Sequence, residues 1–358
     1  MAKLFFLLSG EFETLSFSEL KAILETENYP YTITEKLDQT VRLQADRESI
    51  KQVLRRSAYT RIMALELFAC PATDEAITQA AENTDFQKVL AEHETFEVRI
   101  RRIKEHATKD ATMTLERKLG KLILQNAPQA KVKLRNPDKT FFGILTNNKL
   151  VFGIKLAEII AKPFVERRPR KKPFFHPSAM NSKLARCMVN LAHAQTGAIV
   201  LDPFCGTGTT LLEATLIDAC AIGIDVQRRM AKGARRNLKH FGLTAEGWIV
   251  ADARKLPLAR VDCIVTDPPY GRSATTLKSN TRTIVQAVLT SASALLSKGQ
   301  RICIALPIKV NRLKGNQVER LSEEIRDFAE AVGYRKVESH MVYCHATLTR
   351  EVMVYERT

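Results

Sequence analysis

An aspartate followed by a tight glycine turn is the first feature of this 358-residue sequence that could bind a ligand. Residues 198–201 form a short apolar run that predicts a buried strand, and residues 210–216 predict the start of a helix. Asp202 and the Gly206-Thr207-Gly208 turn stand between them. Glycines let backbone N–H groups approach a ligand closely, because they carry no Cβ. The stretch predicts a cradle for a nucleotide-like ligand, although Gly-x-Gly alone is also typical of an ordinary strand-to-helix turn.

Three further apolar runs follow, and each ends at an aspartate. These aspartates are Asp225, Asp252 and Asp267. Helical patterns such as Arg228–His240 separate the runs, so the segment predicts a parallel sheet, in which ligands bind at the carboxyl ends of the strands. Four aspartates, counting Asp202, are therefore expected along one edge. Such a row is harder to explain as four independent helix caps.

The four acids suit a cationic nucleotide better than a dinucleotide. Asp225 stands where the dinucleotide-binding pattern has its ribose-binding acid, so it could accept both ribose hydroxyls. Asp252 could accept from an adenine amino group, and Asp202 could hold a positively charged amino group. The turn lacks the third, pyrophosphate-associated glycine, and a sulfonium or ammonium prefers an acidic pocket. The inventory favours S-adenosylmethionine over NAD.

The sequence Asp267-Pro268-Pro269-Tyr270 could activate an exocyclic amine of a nucleobase. The lone pair of such an amine is delocalised into the ring. The Asp267 carboxylate and the Pro268 carbonyl could each accept one N–H and so direct the lone pair toward a methyl group. Tyr270 could stack on the base, a contact worth ~1–3 kcal/mol. Taken alone, the four residues are equally typical of a surface turn.

Two motifs carry a family resemblance. Residues 202–209 resemble motif I of the amino-methyltransferases, and residues 267–270 resemble their motif IV. The helix predicted before motif I, over 178–194, further resembles the Rossmann-fold tRNA N2-guanine methyltransferases. The most similar family is the archaeal tRNA guanine-10 N2-methyltransferases, and residues 168–169, 176–178 and 267–273 extend the match. The resemblance implies methylation, with S-adenosylmethionine, of the N2 amine of guanine 10 in tRNA.

Residue roles are assigned from these arguments and from the resemblance together. The predicted catalytic residues are Asp267, Pro268 and Tyr270. The predicted cofactor-binding residues are Asp202, Phe204, Cys205, Gly206, Thr207, Gly208, Thr209, Asp225, Val226, Asp252, Ala253, Pro177, Ser178 and Met180. The predicted RNA-binding residues are Arg167, Arg168, Arg170, Lys171, Lys172 and Arg272, and no metal ligands are expected.

Basic residues are concentrated in the second half of the chain. Residues 161–358 contain 31 Lys and Arg against 17 Asp and Glu, whereas residues 1–160 contain 24 against 22. Six of the positive charges lie within residues 162–172, where Pro163 and Pro169 prevent one continuous helix. A charge run is usually a solvated surface. Here it joins a predicted RNA module to a predicted catalytic domain, so contact with phosphate is expected.

The fold class expected is α/β: a Rossmann-fold methyltransferase domain with a seven-stranded sheet, preceded by an α/β RNA-binding region that contains a THUMP domain. The THUMP resemblance rests on residues 132–138 and on a hairpin predicted at Asn147-Asn148. A generic α/β domain is the alternative. A helix is expected over 318–332 and an antiparallel last strand as in the family. The predicted domains are 1–60 (α/β subdomain), 61–160 (THUMP-like), 161–175 (basic linker) and 176–358 (methyltransferase).

Cysteines and apolar runs bound the class of protein. Seven scattered cysteines without a Cys-x-x-Cys argue against a disulfide framework and a zinc site. Cys205 lies in the turn and Cys263 inside a predicted strand, which disfavours a C5-methyltransferase, because that chemistry needs a cysteine nucleophile at the strand end. The N-terminal apolar run is too short for a signal peptide, and no run approaches the ~18 residues of a spanning helix. A cytoplasmic protein without membrane association is expected.

Several alternatives stay open at this point. The chain could methylate another RNA guanine or adenine, including one in ribosomal RNA, or adenine N6 in DNA. It could also be a non-catalytic RNA-binding scaffold, although such a scaffold tends to lose Asp267, Pro268 or the glycines. The sequence does not decide between one and two methyl groups. The resemblance implies a protein that acts without an obligatory protein partner; a monomer is expected, and the sequence does not decide the oligomeric state.

Overall fold

The structure, a computed structural model, describes residues 1–104, 109–270, 280–311, 317–345 and 348–358. The chain divides into two units. The N-terminal unit comprises Met1–Phe17, Asn28–Leu54 and Tyr59–Ile160. The C-terminal unit comprises Ser18–Glu27, Arg55–Ala58 and Ala161–Thr358.

The N-terminal unit is built on one eight-stranded sheet. Its strands are β1 (Ala2–Leu8), β2 (Tyr31–Leu37), β3 (Thr40–Ala45), β4 (Thr60–Pro71), β5 (Thr95–Arg102), β6 (Lys131–Val132), β7 (Lys139–Thr146) and β8 (Lys149–Glu158). Their order is β2-β3-β1-β4-β8-β7-β5-β6, so strands from both 1–60 and 61–160 share the sheet. The division of this region into two domains remains a prediction.

The hairpin between β7 and β8 turns at Asn147 and Asn148, as predicted. Both residues have positive φ, +47° and +57°. A two-residue turn with positive φ at both positions matches the twist of the flanking strands, and asparagine tolerates that conformation. The hairpin closes over an aromatic core, in which Phe141 stacks on Phe152 at 5.9 Å and meets Phe86 and Phe96 edge-on.

Four α-helices begin among the described residues of the first 160. They are α1 (Glu13–Thr26), α2 (Ser49–Arg56), α3 (Asp74–Glu82) and α4 (Lys109–Asn126). Helix α4 packs on β5 through Leu119 and Ile123, which are fully buried four residues apart on one helical face.

The C-terminal unit alternates strands and helices around a second sheet. Its helices are α5 (Lys162–Glu166), α6 (Ser182–Leu191), α7 (Thr209–Thr215), α8 (Arg228–His240), α9 (Thr281–Ser293), α10 (Leu321–Glu324) and α11 (Arg326–Ala331). Its strands are β9 (Ile199–Asp202), β10 (Cys220–Ile224), β11 (Gly247–Ile249), β12 (Cys263–Thr266), β13 (Arg301–Asn311), β14 (Gln317–Arg320), β15 (Tyr334–His345) and β16 (Leu348–Arg357).

Seven of these strands form the path β11-β10-β9-β12-β13-β16-β15, and β14 pairs with β13 outside it. Strands β9 to β13 on this path are parallel neighbours. The last strand, β16, lies antiparallel between β13 and β15. The seven-stranded methyltransferase sheet with an antiparallel last strand is therefore confirmed.

The helix predicted over 318–332 is wrong at its beginning. Residues Gln317–Arg320 pair with β13 as β14, and helix follows only from Leu321, with a break at Ile325 between α10 and α11. The sequence predicts helix over the whole segment from local preference alone. Cross-strand pairing with β13 outweighs that local preference, because strand propensity depends on tertiary contacts.

Candidate active site

The four aspartates of the sheet line one pocket. Asp202 is the last residue of β9, while Asp225 and Asp267 directly follow β10 and β12. Asp252 follows β11 by three residues. Because these strands are parallel neighbours, their carboxyl ends meet at one edge, and all four side chains line the same cavity.

The glycine turn has the expected conformation but a different use for each glycine. Gly206 has φ +50° and donates its N–H to Oδ2 of Asp225 at 3.0 Å. Gly208 has φ +76°, and a Cβ there would lie 2.8 Å from the Cβ of Ala234 on α8. The second glycine therefore permits close packing of α8 against the turn, and Gly208 is outside the residues that line the pocket.

Asp202 is the most buried acid of the pocket. Its Oδ1 accepts from the backbone N–H of Phe204 at 3.1 Å and from the Thr266 hydroxyl at 2.8 Å. Burial raises the pKa of Asp202 to about 7. A cation beside it would stabilise the carboxylate, so the position suits an ammonium group.

Asp225 presents acceptors to the pocket while it anchors its own loop. Its Oδ1 accepts from the N–H of Gln227 at 2.8 Å, and its Oδ2 accepts from Gly206. Burial raises the pKa of Asp225. Each oxygen keeps lone-pair capacity for a ligand hydroxyl, since a carboxylate offers about four acceptor positions.

Asp252 is paired with an arginine that stands two residues further along the chain. Arg254 donates its Nε to Oδ2 of Asp252 at 2.9 Å and its backbone N–H to Oδ1 at 2.9 Å. The Arg254 side chain lowers the pKa of Asp252 and also lines the pocket. Sequence reasoning missed Arg254, although it stands only two residues after the acid.

The acid of the Asp-Pro-Pro-Tyr turn is held by an arginine from the far end of the chain. Oδ2 of Asp267 lies 2.7 Å from Nη2 of Arg350, and the Tyr270 hydroxyl donates to Oδ1 of Asp267. Burial, with the Asp267 charge as a second cause, raises the pKa of the Tyr270 phenol well above its ordinary value. The phenol thus remains a neutral donor.

Most of the predicted cofactor-binding residues line the pocket. Those that do so are Ser178, Met180, Asp202, Phe204, Cys205, Gly206, Thr207, Thr209, Asp225, Val226, Asp252 and Ala253. Pro177 and Gly208 do not, and of the predicted catalytic residues Asp267 lines it whereas Pro268 and Tyr270 do not. His176 contacts the pocket indirectly, because its Nδ1 lies 2.7 Å from the Ser178 hydroxyl.

The cysteines near the pocket are not nucleophiles. Burial raises the pKa of Cys205 well above its ordinary value and that of Cys263 to about 12. Both thiols therefore stay protonated, and a thiol is a far weaker nucleophile than a thiolate.

Two of the predicted RNA-binding residues are largely shielded from solvent and paired within the protein. Arg167 donates Nε and Nη2 to the two oxygens of Glu213 at 2.7 and 3.1 Å, and Glu213 is fully buried. Lys172 is buried and donates to Oγ1 of Thr209 at 2.7 Å. Phosphate contact by Arg167 and Lys172 remains a prediction, and these positions do not favour it, because each side chain is already paired inside the protein.

The remaining members of the basic segment face solvent. Arg168 and Arg170 are exposed, and Lys171 is exposed and paired with Glu166 at 2.9 Å. Arg272 and the loop 271–276 lie outside the described residues. Prolines do break this segment, as expected, into α5 and a 3₁₀ turn at Pro169–Lys171.

Among the described residues, no group of three His, Cys, Asp or Glu side chains is arranged to hold a metal ion. Within the same part of the chain, every helix is too short or too polar to span a bilayer.

Two family models match parts of the chain. A model described as an RMKL-like methyltransferase domain matches residues 169–314, a range that contains all four aspartates of the pocket. A model described as a DNA methylase matches residues 72–236, a range that ends before Asp267.

Relatives match over nearly the whole chain. The chain is 36% identical over 352 residues to the tRNA (guanine(10)-N2)-dimethyltransferase of Methanothermobacter thermautotrophicus, with 98% of each chain covered. It is 30% identical over 377 residues to the enzyme of the same name from Methanocaldococcus jannaschii, with 98% and 99% covered. The crystal structure of TrmN from Thermus thermophilus shares the fold, with a TM-score of 0.52, 22% identity and coverage of 99% and 100%.

These identities, maintained from one end of the chain to the other together with the motif I and motif IV residues, show that the chain belongs to the tRNA (guanine(10)-N2)-dimethyltransferase family.

Proposed function

We propose that this protein transfers methyl groups from S-adenosylmethionine to the N2 amine of guanine 10 in tRNA. The observation that carries the proposal is the position of Asp267. It lines the same pocket as Asp202, Asp225 and Asp252, so an amine held by Asp267 would meet a ligand held by the other three. The names of the two archaeal relatives support the substrate and the atom.

The residues of the pocket fit S-adenosylmethionine. Asp202 would accept from the ammonium of the methionyl part, Asp225 from the ribose hydroxyls, and Asp252 from the adenine amine. Burial raises the pKa of Asp202 and of Asp225. A cationic or hydroxyl group of the ligand beside these carboxylates would stabilise their ionised forms. When bound, the cofactor supplies an electrophilic methyl group on its sulfonium.

Asp267 retains the capacity to accept an N–H of the guanine amine. Its two oxygens have about four lone-pair positions. Arg350 and Tyr270 supply three donors: Nη2 at 2.7 Å to Oδ2, Nε at 3.3 Å to Oδ1, and the phenol to Oδ1. One position is left for the amine, and the Pro268 carbonyl would accept the second N–H. Catalysis would then come mainly from positioning of the nitrogen lone pair.

The Tyr270 ring is held on one side. The Arg350 guanidinium lies 5.8 Å from the centroid of the Tyr270 ring, and the Tyr270 hydroxyl lies 3.3 Å from the Ala305 carbonyl oxygen. We propose that the other face stacks on the guanine. Transfer of a second methyl would require only one acceptor for the remaining N–H, and the dimethyltransferase name of the relatives supports both transfers.

The domain roles belong to the same proposal. Residues 61–160 would act as a THUMP-like RNA-binding domain, preceded by the subdomain 1–60, and exposed basic side chains on β5 such as Arg101 and Arg102 support this use. Residues 161–175 would link them to the methyltransferase domain, 176–358. We further propose that the protein works in the cytoplasm as a monomer on tRNA, without an obligatory protein partner.

The test is methyl transfer from labelled S-adenosylmethionine to unmodified tRNA transcripts, followed by nucleoside analysis. We expect N2-methylguanosine and N2,N2-dimethylguanosine, both absent when guanine 10 is replaced by adenine. Asp267→Ala should abolish transfer while the variant still binds tRNA. Label on a different base would discard guanine 10, and tRNA binding without transfer to any RNA or DNA would favour the scaffold alternative.

A further inference from the structure

Arg350 reaches the Asp-Pro-Pro-Tyr turn from a strand that does not adjoin it. It lies on β16, opposite Pro307 of β13 and Val342 of β15. Strand β13 separates β16 from β12, whose end carries Asp267. Neighbouring strands are ~4.8 Å apart, so about 10 Å separates β16 from β12, a gap that the extended arginine, the aspartate and the hydrogen bond between them cover together. The side chains of Arg350 and Asp267 are only 8% and 16% exposed.

We infer that Arg350 is a positioning residue for Asp267, which fixes the carboxylate so that its remaining lone pair faces the guanine amine. The inference rests on the proposed N2 methylation. It concerns how the acceptor is held, a role that Arg350 shares with the Tyr270 hydroxyl.

Every nitrogen of the Arg350 guanidinium has a partner. Nη2 donates to Oδ2 of Asp267 at 2.7 Å, and Nε lies 3.3 Å from both Oδ1 of Asp267 and the Tyr270 hydroxyl. Nη1 lies 3.0 Å from Sγ of Cys344. A planar guanidinium held at three points has little rotational freedom, so its hydrogen bonds also restrict the orientation of the Asp267 carboxylate.

Stability alone does not explain this pair. Two charges removed from water gain little net free energy, because desolvation offsets their attraction. A pair of which one member lines a ligand pocket instead provides orientation, which contributes to rate when the reacting groups must be aligned. The guanidinium also neutralises the carboxylate, so Asp267 is set up as an oriented acceptor for the amine.

The first experiment measures steady-state kinetics of the full-length protein on the guanine-10 transcript. For Arg350→Met we expect kcat to fall by roughly 100-fold, while KM for S-adenosylmethionine stays within about twofold, because the change acts on an interaction used in the transfer step. Arg350→Lys should recover only part of the rate, since an ammonium is a point charge without the fork. Added guanidinium ion should raise the rate of Arg350→Ala but not of wild type.

The second experiment tests whether Arg350 acts through Asp267. In a double-mutant cycle, Arg350→Met should cost far less in an Asp267→Asn background than in wild type, because coupled residues are non-additive. Equal fold-losses in both backgrounds would overturn the inference. A wild-type kcat in Arg350→Met would also overturn it. If Arg350→Met loses activity because it is unfolded at the assay temperature, Arg350→Lys decides: a folded and fully active Arg350→Lys would overturn the inference.

Arg335→Ala is the matched control. Arg335 forms an exposed ion pair with Glu356 between β15 and β16 at 2.7 Å, and it has no contact with the pocket. The Arg335→Ala variant should have the kcat of wild type. Methylation of another base by wild type would reject guanine 10 as the substrate. The same series of variants, measured on that base, would still test Arg350. A wild type inert on every nucleic acid would overturn both the proposed function and this inference.

Discussion

The ammonium of Lys172 lies 2.7 Å from the hydroxyl of Thr209, and Lys172 is only 5% exposed. Thr209 begins α7 and lines the pocket, so Lys172 ties the basic segment to the cofactor turn. Burial lowers the pKa of Lys172 to about 8, despite an opposing contribution from Glu213.

Lys172 should make stability depend on pH in a definite direction. The unfolded lysine binds its proton up to about pH 10.4, whereas the folded one releases it near pH 8. Between these values the unfolded state binds more protons, so stability rises with pH. Relative to Lys172→Met, wild type should gain about 3 kcal/mol between pH 7 and pH 10.5.

The check is denaturant unfolding of both proteins across that range, without added ligand. The difference between the two curves removes the titration of every other group. A difference that stays constant with pH would contradict the lowered pKa.

Asp202 should make cofactor affinity depend on pH. With a pKa of about 7, only about a tenth of this carboxylate is ionised at pH 6 and about nine tenths at pH 8. If the ionised form holds the ammonium of S-adenosylmethionine, affinity should rise roughly tenfold between these pH values.

Calorimetric titration with S-adenosylmethionine measures this dependence, and Asp202→Asn is the control for titration of the ligand itself. The variant should bind more weakly at pH 8 and show a flatter profile. Identical profiles for both proteins would remove Asp202 from the ammonium site.

Removing the exposed arginines of the basic segment should have a different effect from removing Arg167, whose side chain is only 12% exposed. Arg168→Ala with Arg170→Ala should weaken tRNA binding and reduce the slope of log affinity against log salt by roughly 1–2, because each phosphate contact releases counterions. The melting temperature of this double variant should equal that of wild type, since both side chains face solvent.

Arg167→Ala is the matched comparison, since it removes one neighbouring positive charge. It should leave the salt slope unchanged but reduce stability by about 3 kcal/mol, because the fully buried Glu213 loses one of its cationic partners, while Arg186 remains at 3.0 Å. Fluorescence binding at several salt concentrations and thermal unfolding separate the two effects. A salt slope altered by Arg167→Ala would restore that residue to the RNA surface.

The sequence by itself determined the framework of the site. Apolar runs ended by aspartates predict parallel strands, and parallel strands bring their carboxyl ends to one edge whatever the loops do. The position of Asp202, Asp225 and Asp267 in one pocket follows from that rule. Helix α8 begins and ends where its pattern predicted, at Arg228 and His240, because its buried face has a regular helical period.

Only the tertiary structure decided which charged residues serve the site. Arg350 meets Asp267 across 83 residues of sequence, and Lys172 and Arg167 turn inward although their segment looks like a solvated charge run. Residue type reports that a side chain is cationic. Whether it is buried, and beside which acid, depends on strand order and on packing between distant segments, and no local spacing encodes either.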